Sequence, residues 1–256
     1  MTPAASRSTP AGRAAPSEAA LARRAASPSP TGSLERDRPG LVGFVLEALR
    51  DLYGLPEWQP RRGATDELVL TILSQHTSDR NAERAFDSLV ARFGDWDAVA
   101  HAPVQEVAAT IVSGGLAQQK APRIQGVLRR IRDERGEYDL GFLAQMQPRA
   151  ARDWLVRLDG VGPKTASVVL LFCFGLPLMP VDTHVHRVIG RIGLVPPRTP
   201  AGRAHDLALE IFPPARMYEA HVNLITHGRR TCTARRPACG RCPIAPRCRY
   251  VDPRAP

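Results

Sequence analysis

The chain has 256 residues, 43% of them hydrophobic, enough to bury a substantial core in one large domain or two modest ones. A formal net charge of +10 and an isoelectric point near 10.2 point to a polyanionic partner, nucleic acid or an acidic membrane surface. No run of 18 apolar residues is present to span a bilayer and no secretory signal is expected, while five cysteines, four of them within 232–248, argue against a disulfide framework and for thiolates holding a metal or cluster.

The charge is unevenly placed. Residues 1–40 carry +3, residues 212–256 carry +7, and the 171 residues between are neutral overall. The first segment, rich in Ala, Ser, Pro and Arg, shows no sustained apolar period and reads as a disordered tail. The same composition also fits an organelle transit peptide or an arm with loose phosphate affinity.

From residue 41 onward the apolar period is helical. "LVGFVLEALRDLYG" forms a first helix, "TDELVLTILSQHT" a second, and "SDRNAERAFDSLVARFG" a third, opening on a Ser78 cap and closing at Gly94. Short helices are expected near 96–101 and 104–113. They are followed by the amphipathic "KAPRIQGVLRRIRDERG" and by "PRAARDWLVRL". "PKTASVVLLFCFG" is apolar on nearly every side and suits a helix inside a core, where Cys173 reads as a packing residue. Helices near 183–194, 200–211 and 214–227 complete an all-α fold with no internal repeat.

Between two of these helices lies "LDGVGPKTA". Gly160 and Gly162 permit a tight turn, and Pro163 starts the next helix. The turn amides and the helix N-terminus could hold a phosphate, or the turn could serve packing alone. Lys164 sharpens the choice, because only Lys120 and Lys164 stand against 33 arginines. A helix N-terminus and partial burial both favour a neutral amine, and an amine can attack an electrophilic carbon where a guanidinium cannot. The alternative is a phosphate clamp.

Asp182, in "PVDTHVHRV", is a good N-cap residue, and its carboxylate could also steady a developing cation. Cys232, Cys239, Cys242 and Cys248 follow C-x6-C-x2-C-x5-C, an all-sulfur set suited to zinc or to an iron-sulfur cluster. Arg235 and Arg236 sit inside the first cysteine loop, either as a solvated face or as guanidinium groups set against phosphates.

Taken together, "LDGVGPKTASVVL", "PVDTHVHRV" and the cysteine loop preceded by "HGRR" resemble the endonuclease III family of DNA glycosylases, over roughly residues 41–250. The resemblance implies a nucleophile at Lys164 and, eighteen residues later, a catalytic carboxylate at Asp182. It further implies a 4Fe-4S cluster on the four cysteines. Gly160, Val161, Gly162 and Thr165 would lie on the DNA backbone with Arg235 and Arg236. His76 would stand at the family's inserted glutamine, with Gln75 shifted by one, Leu116 would be the wedge across the gap, and His184 would orient Asp182 or the lesion. Lys120 is expected at the surface.

The implied architecture pairs a six-helix domain at 58–177 with a second domain built from 41–57 plus 178–256. The implied function is a monomeric bifunctional glycosylase and apurinic/apyrimidinic lyase, acting on oxidised pyrimidines in damaged double-stranded DNA. It would work in the nucleoid of a bacterium, or in the nucleus or mitochondrion of a eukaryote. The alternatives are an adenine-mismatch glycosylase, against which Lys164 and the end at residue 256 count, and a non-catalytic DNA-binding or redox-sensing iron-sulfur protein, against which Lys164 and Asp182 together count.

Overall fold

The computed structural model describes Leu34, residues 37–60 and residues 62–255, so the expectation for the N-terminal tail lies almost wholly outside the described residues. Among those residues the regular elements are helices: α1 Leu41–Tyr53, α2 Ala64–Leu73, α3 Asp79–Phe93, α4 Trp96–His101, α5 Val104–Thr110, α6 Ala117–Arg135, α7 Pro148–Val156, α8 Pro163–Phe174, α9 Thr183–Ile192, α10 Ala201–Ile211 and α11 Met217–Arg230. Short 3-10 turns join them, including Val112–Gly114 before α6 and Cys239–Arg241 and Ala245–Arg247 after α11. The helical period seen in the sequence is therefore the period of the fold.

Local chemistry sets most of the ends. Ser78 accepts a hydrogen bond from the Asn81 amide, Asp95 accepts from Ala98, and Asp182 accepts from Val185, each supplying a partner to an amide that its helix leaves unpaired. Gly94 and Gly136 close α3 and α6 at positive φ. Two boundaries differ from the sequence expectation. Helix α2 ends at Leu73 instead of running to Thr77, and α6 begins at Ala117, three residues before Lys120.

Lys120 sits beside both boundaries. Expected at the surface, it is 1% exposed, and its ammonium donates to the carbonyls of Leu73 (2.6 Å) and Gly114 (2.7 Å). Those are the carbonyls at which α2 and the Val112–Gly114 turn stop. A buried cation must find partners, and two helix-terminal carbonyls supply them.

The buried apolar side chains form two clusters. One is built from α2 to α8, with Leu68, Ile72, Leu89, Ile124 and Leu155 fully enclosed. The other joins α1 to α9, α10, α11 and the cysteine loop, through Leu41, Val45, Val188, Ile189 and Leu224. Helix α8 serves both: Ala166, Val169 and Leu170 face the first cluster, and Val168, Leu171 and Phe172 the second. That double burial explains why its sequence is apolar nearly all round. Cys173 packs, partly buried, against the first cluster.

Polar contacts pin α1 to α11. Arg50 forms a two-pronged pair with Glu219 (2.8 Å each), Asn223 donates to Gly54 O (3.1 Å), and the Tyr53 hydroxyl lies 3.1 Å from His227 Nδ1 and 2.9 Å from Thr231 Oγ1. The segment that follows α1 is held by Trp58, whose indole donates to Leu171 O of α8. Helix α9 is tied to the cysteine loop in turn, Arg187 donating to Cys232 O (3.0 Å).

Candidate active site and cluster loop

The turn from α7 into α8 requires glycine at residue 160. Its φ is 82°, and a Cβ there would lie 2.2 Å from Arg123 Cδ. Gly162 caps α8 in an extended conformation with open space where a side chain would stand, and Pro163 follows in the first turn. The amides of Gly162, Lys164 and Thr165 belong to the group that no helix uses internally, so they form an anion-ready N-terminus. The Val161 amide is not part of it: it donates to Leu158 O (3.0 Å), and the Val161 side chain is buried in the first cluster. The Thr165 side chain is buried as well, leaving only its backbone to face a ligand.

Lys164, in the first turn of α8, lines a cavity of about 450 Å³. Asp182 lines the same cavity, with Glu67, Thr71, Asp79 and Arg229. The cavity lies where α2, α3, α8, α9 and α11 meet, between the two apolar clusters. Burial is the main influence on the Lys164 amine and pushes its pKa below the ordinary lysine value, while the charges of Asp182, Asp79 and Glu67 act in the opposite direction. Asp182 spends one carboxylate oxygen on its cap, at 2.7 Å from Val185 N. No hydrogen bond within the described chain engages the other oxygen, so capping and a charge facing the cavity coexist. A larger cavity of about 600 Å³, near Asp66, Trp96 and Tyr138, has no lysine, cysteine or histidine in its wall.

The residues expected at the DNA gap lie in two loops. His76 is exposed at φ 56°, and Leu116 is 48% exposed at φ 50°, both left-handed conformations that cost non-glycine residues energy and persist where surrounding structure holds them. Gln75 faces the hairpin instead: its carbonyl accepts from Arg123 (2.9 Å), and its amide reaches Gly160 O at 3.4 Å. His184 pairs with Arg187 Nη2 (3.1 Å) and packs its Cβ over Gly228; its hydrogen-bond partner is Arg187 and not Asp182.

Cys232, Cys239, Cys242 and Cys248 line a single small space that Val188, Ile192, Ile244 and Val251 close with apolar surface, and no carboxylate of the described residues enters its wall. Burial pushes the Cys242 and Cys248 thiols up, so their thiolates need nearby positive charge. Arg191 supplies part of it, donating to Cys232 Sγ (3.4 Å) while its other bonds hold the carbonyls of Thr233 and Ala234. His227 Nε2 lies 3.5 Å from Cys242 Sγ. Among the described residues no three His, Cys, Asp or Glu side chains gather as ligands of one metal ion. An all-sulfur set in an apolar pocket fits an iron-sulfur cluster, which these four cysteines would hold. Arg235 and Arg236 are exposed on the loop between the first two.

Sequence reasoning missed Glu67, Asp79 and Arg229 in the cavity wall, as well as the role of Lys120. A signal for the first existed: Glu67 and Thr71 in α2 and Ser74 just after it stand at helical spacing on one face, and all three line the cavity. Arg229 reaches Asp79 at 3.1 Å across the cavity mouth, a pairing 150 residues apart in sequence.

Comparison with known proteins agrees with this arrangement. Residues 69–214 match the family model described as HhH-GPD superfamily base excision DNA repair protein, and residues 232–248 match the iron-sulfur binding domain of endonuclease III. The endonuclease III of Sulfolobus acidocaldarius is 34% identical over 185 residues, covering 72% of this chain and 80% of that protein. Two solved structures, a non-covalent endonuclease III-DNA complex and a trapped endonuclease III-DNA covalent intermediate, each superpose with a TM-score of 0.71 at 27% identity, over 83% of this chain and 96% of theirs. The chain belongs to the HhH-GPD superfamily of base excision DNA repair proteins, as an endonuclease III-like DNA glycosylase whose cofactor is a 4Fe-4S cluster.

Proposed function

We propose that the protein is a bifunctional glycosylase and apurinic/apyrimidinic lyase that removes oxidised pyrimidines from damaged duplex DNA. The observation that carries this reading is the shared cavity: a lysine whose pKa burial lowers, and a carboxylate with one uncommitted oxygen, line the same space between the two apolar clusters. The two clusters are then two domains, 58–177 and 41–57 plus 178–256. The chain crosses between them twice, and DNA lies across the cleft.

A base must leave the stack before its sugar can be reached. Open amides of Gly162, Lys164 and Thr165, together with Arg235 and Arg236, hold phosphates on either side, while His76 and Leu116 occupy the vacated gap. Neutral Lys164 Nζ attacks C1′ as the glycosidic bond breaks and the base departs with the bonding electrons. Asp182 stabilises the cationic sugar electrostatically and takes up a proton from the new ammonium. As the C1′–O4′ bond breaks, that proton passes from Asp182 to the ring oxygen and the nitrogen lone pair forms an iminium, which acidifies the C2′ proton. Its removal expels the 3′ phosphate, and water then releases the sugar fragment and restores the amine. The cluster supplies rigidity to a basic loop and takes no part in these steps. A relative 27% identical to this chain has been captured as a covalent intermediate with DNA, which supports the same chemistry here.

The proposed active unit is a monomer, working wherever the cell keeps its DNA. Borohydride reduction during incubation with a thymine glycol duplex tests the reading. The parent should yield a stable protein-DNA adduct, and Lys164→Gln should yield none. An equal adduct from the variant refutes the assignment.

A further inference from the structure

Lys120 is a buried cation that the proposed chemistry does not use. Its ammonium joins two carbonyls distant in sequence: Leu73 O at the end of α2 and Gly114 O at the end of the turn before α6. Three residues past the first carbonyl stands His76, and two past the second stands Leu116. These exposed residues hold the left-handed conformation at φ 56° and 50°. Gly114 is itself seated tightly, since a Cβ there would come within 3.1 Å of Ala85 Cβ on α3. Both carbonyls are at the negative ends of helical turns, where a cation is favoured. A compact ammonium with three tetrahedral donors fits between them inside the core, where a planar guanidinium would need a wider space. In a chain that otherwise uses arginine 33 times, this position uses lysine.

We propose that Lys120 is a positioning residue that locks the His76 and Leu116 loops into one rigid element, so that both side chains enter the DNA gap together. This rests on the reading of His76 and Leu116 as gap residues given above. Without the clip, each loop keeps its chain connection but loses the carbonyl anchor that holds its left-handed residue. The two side chains would then have to be ordered separately when DNA binds.

The test uses the full chain with its cluster and a duplex carrying a tetrahydrofuran abasic site opposite 2-aminopurine. Fluorescence of that base rises when it is unstacked, and the signal needs no bond to Lys164. Lys120→Met, which keeps side-chain length and removes the donors, should weaken half-saturation of the fluorescence rise by about tenfold while leaving affinity for undamaged duplex unchanged. In a His76→Gly, Leu116→Gly background the same substitution should have no further effect. Lys120→Gln, shorter than lysine and with a neutral amide in place of the ammonium, guards against a methionine variant that fails to fold, and it too should weaken half-saturation of the fluorescence rise. Parental response from either folded Lys120 variant overturns the proposal, as does an equal loss of affinity for undamaged duplex. A parent that forms no borohydride adduct would refute the lyase reading instead, and the fluorescence comparison would still decide the role of Lys120.

Discussion

Asp182 has two tasks that one substitution can separate. Its Oδ1 caps α9 at 2.7 Å from Val185 N, and its charge faces the cavity shared with Lys164. Asparagine caps a helix about as well as aspartate but carries no charge, whereas alanine does neither. Asp182→Ala should therefore cost about 1 kcal/mol from the lost cap. In a protein of this size that lowers the melting temperature by about 2 to 4 °C. Asp182→Asn should stay within a few tenths of a kcal/mol of the parent. For base release both variants lose the charge that steadies the sugar cation, and each should slow single-turnover release by about 100- to 1,000-fold.

The direction is informative because Asp182 also raises the Lys164 pKa. Removing its charge leaves more of the amine neutral, so a reaction limited by nucleophile supply would speed up. The measurement is single-turnover glycosylase kinetics on a thymine glycol duplex beside thermal unfolding of the same preparations. An Asp182→Asn variant as fast as the parent, or faster, refutes the electrostatic role. An Asp182→Asn variant that loses as much stability as Asp182→Ala refutes the separation of cap and charge.

Three further outcomes are expected. The folded Lys164 pKa is lowered, so the unfolded chain binds more protons between the folded and unfolded values, and the resulting loss of stability is complete below the folded value and fades as pH rises through it. Lys164→Met should accordingly melt at a higher temperature than the parent at neutral pH, with the advantage shrinking toward the ordinary lysine pKa; calorimetry across pH shows it, and a destabilised variant contradicts it. Gly160→Ala meets both φ 82° and the Arg123 side chain, so it should cost about 1 to 3 kcal/mol by chemical denaturation. Arg123→Ala in the same chain should recover part of that cost, and no recovery would place the strain in the backbone alone. Replacing Arg235 and Arg236 together by alanine should reduce the salt slope of duplex binding by about 2, the amount expected for two phosphate contacts, and an unchanged slope would return both to solvent.

What the sequence made legible was what neighbouring residues determine. The Ser78 cap, the Gly-Val-Gly-Pro turn and the cysteine spacing are local patterns, and the structure uses each where the pattern stands. Lys164 and Asp182 are eighteen apart on consecutive helices, close enough for a family motif to carry both. Lys120 could not be read this way: at the start of an amphipathic helix it has the pattern of a surface residue, and only the meeting of Leu73 and Gly114 makes it a core one. The early end of α2, whose last carbonyl Lys120 takes up, was equally hidden. Glu67 and Arg229 belong to helices from opposite ends of the chain, so their common cavity exists only in three dimensions.

The central claim is that one amine forms the bond to DNA, and this chain offers only two lysines to choose between. Mass spectrometry of proteolytic peptides from the borohydride-reduced adduct locates the bond directly. The account predicts a sugar remnant on Lys164 Nζ and an unmodified Lys120. A remnant on Lys120, or on any other amine of the chain, would contradict it.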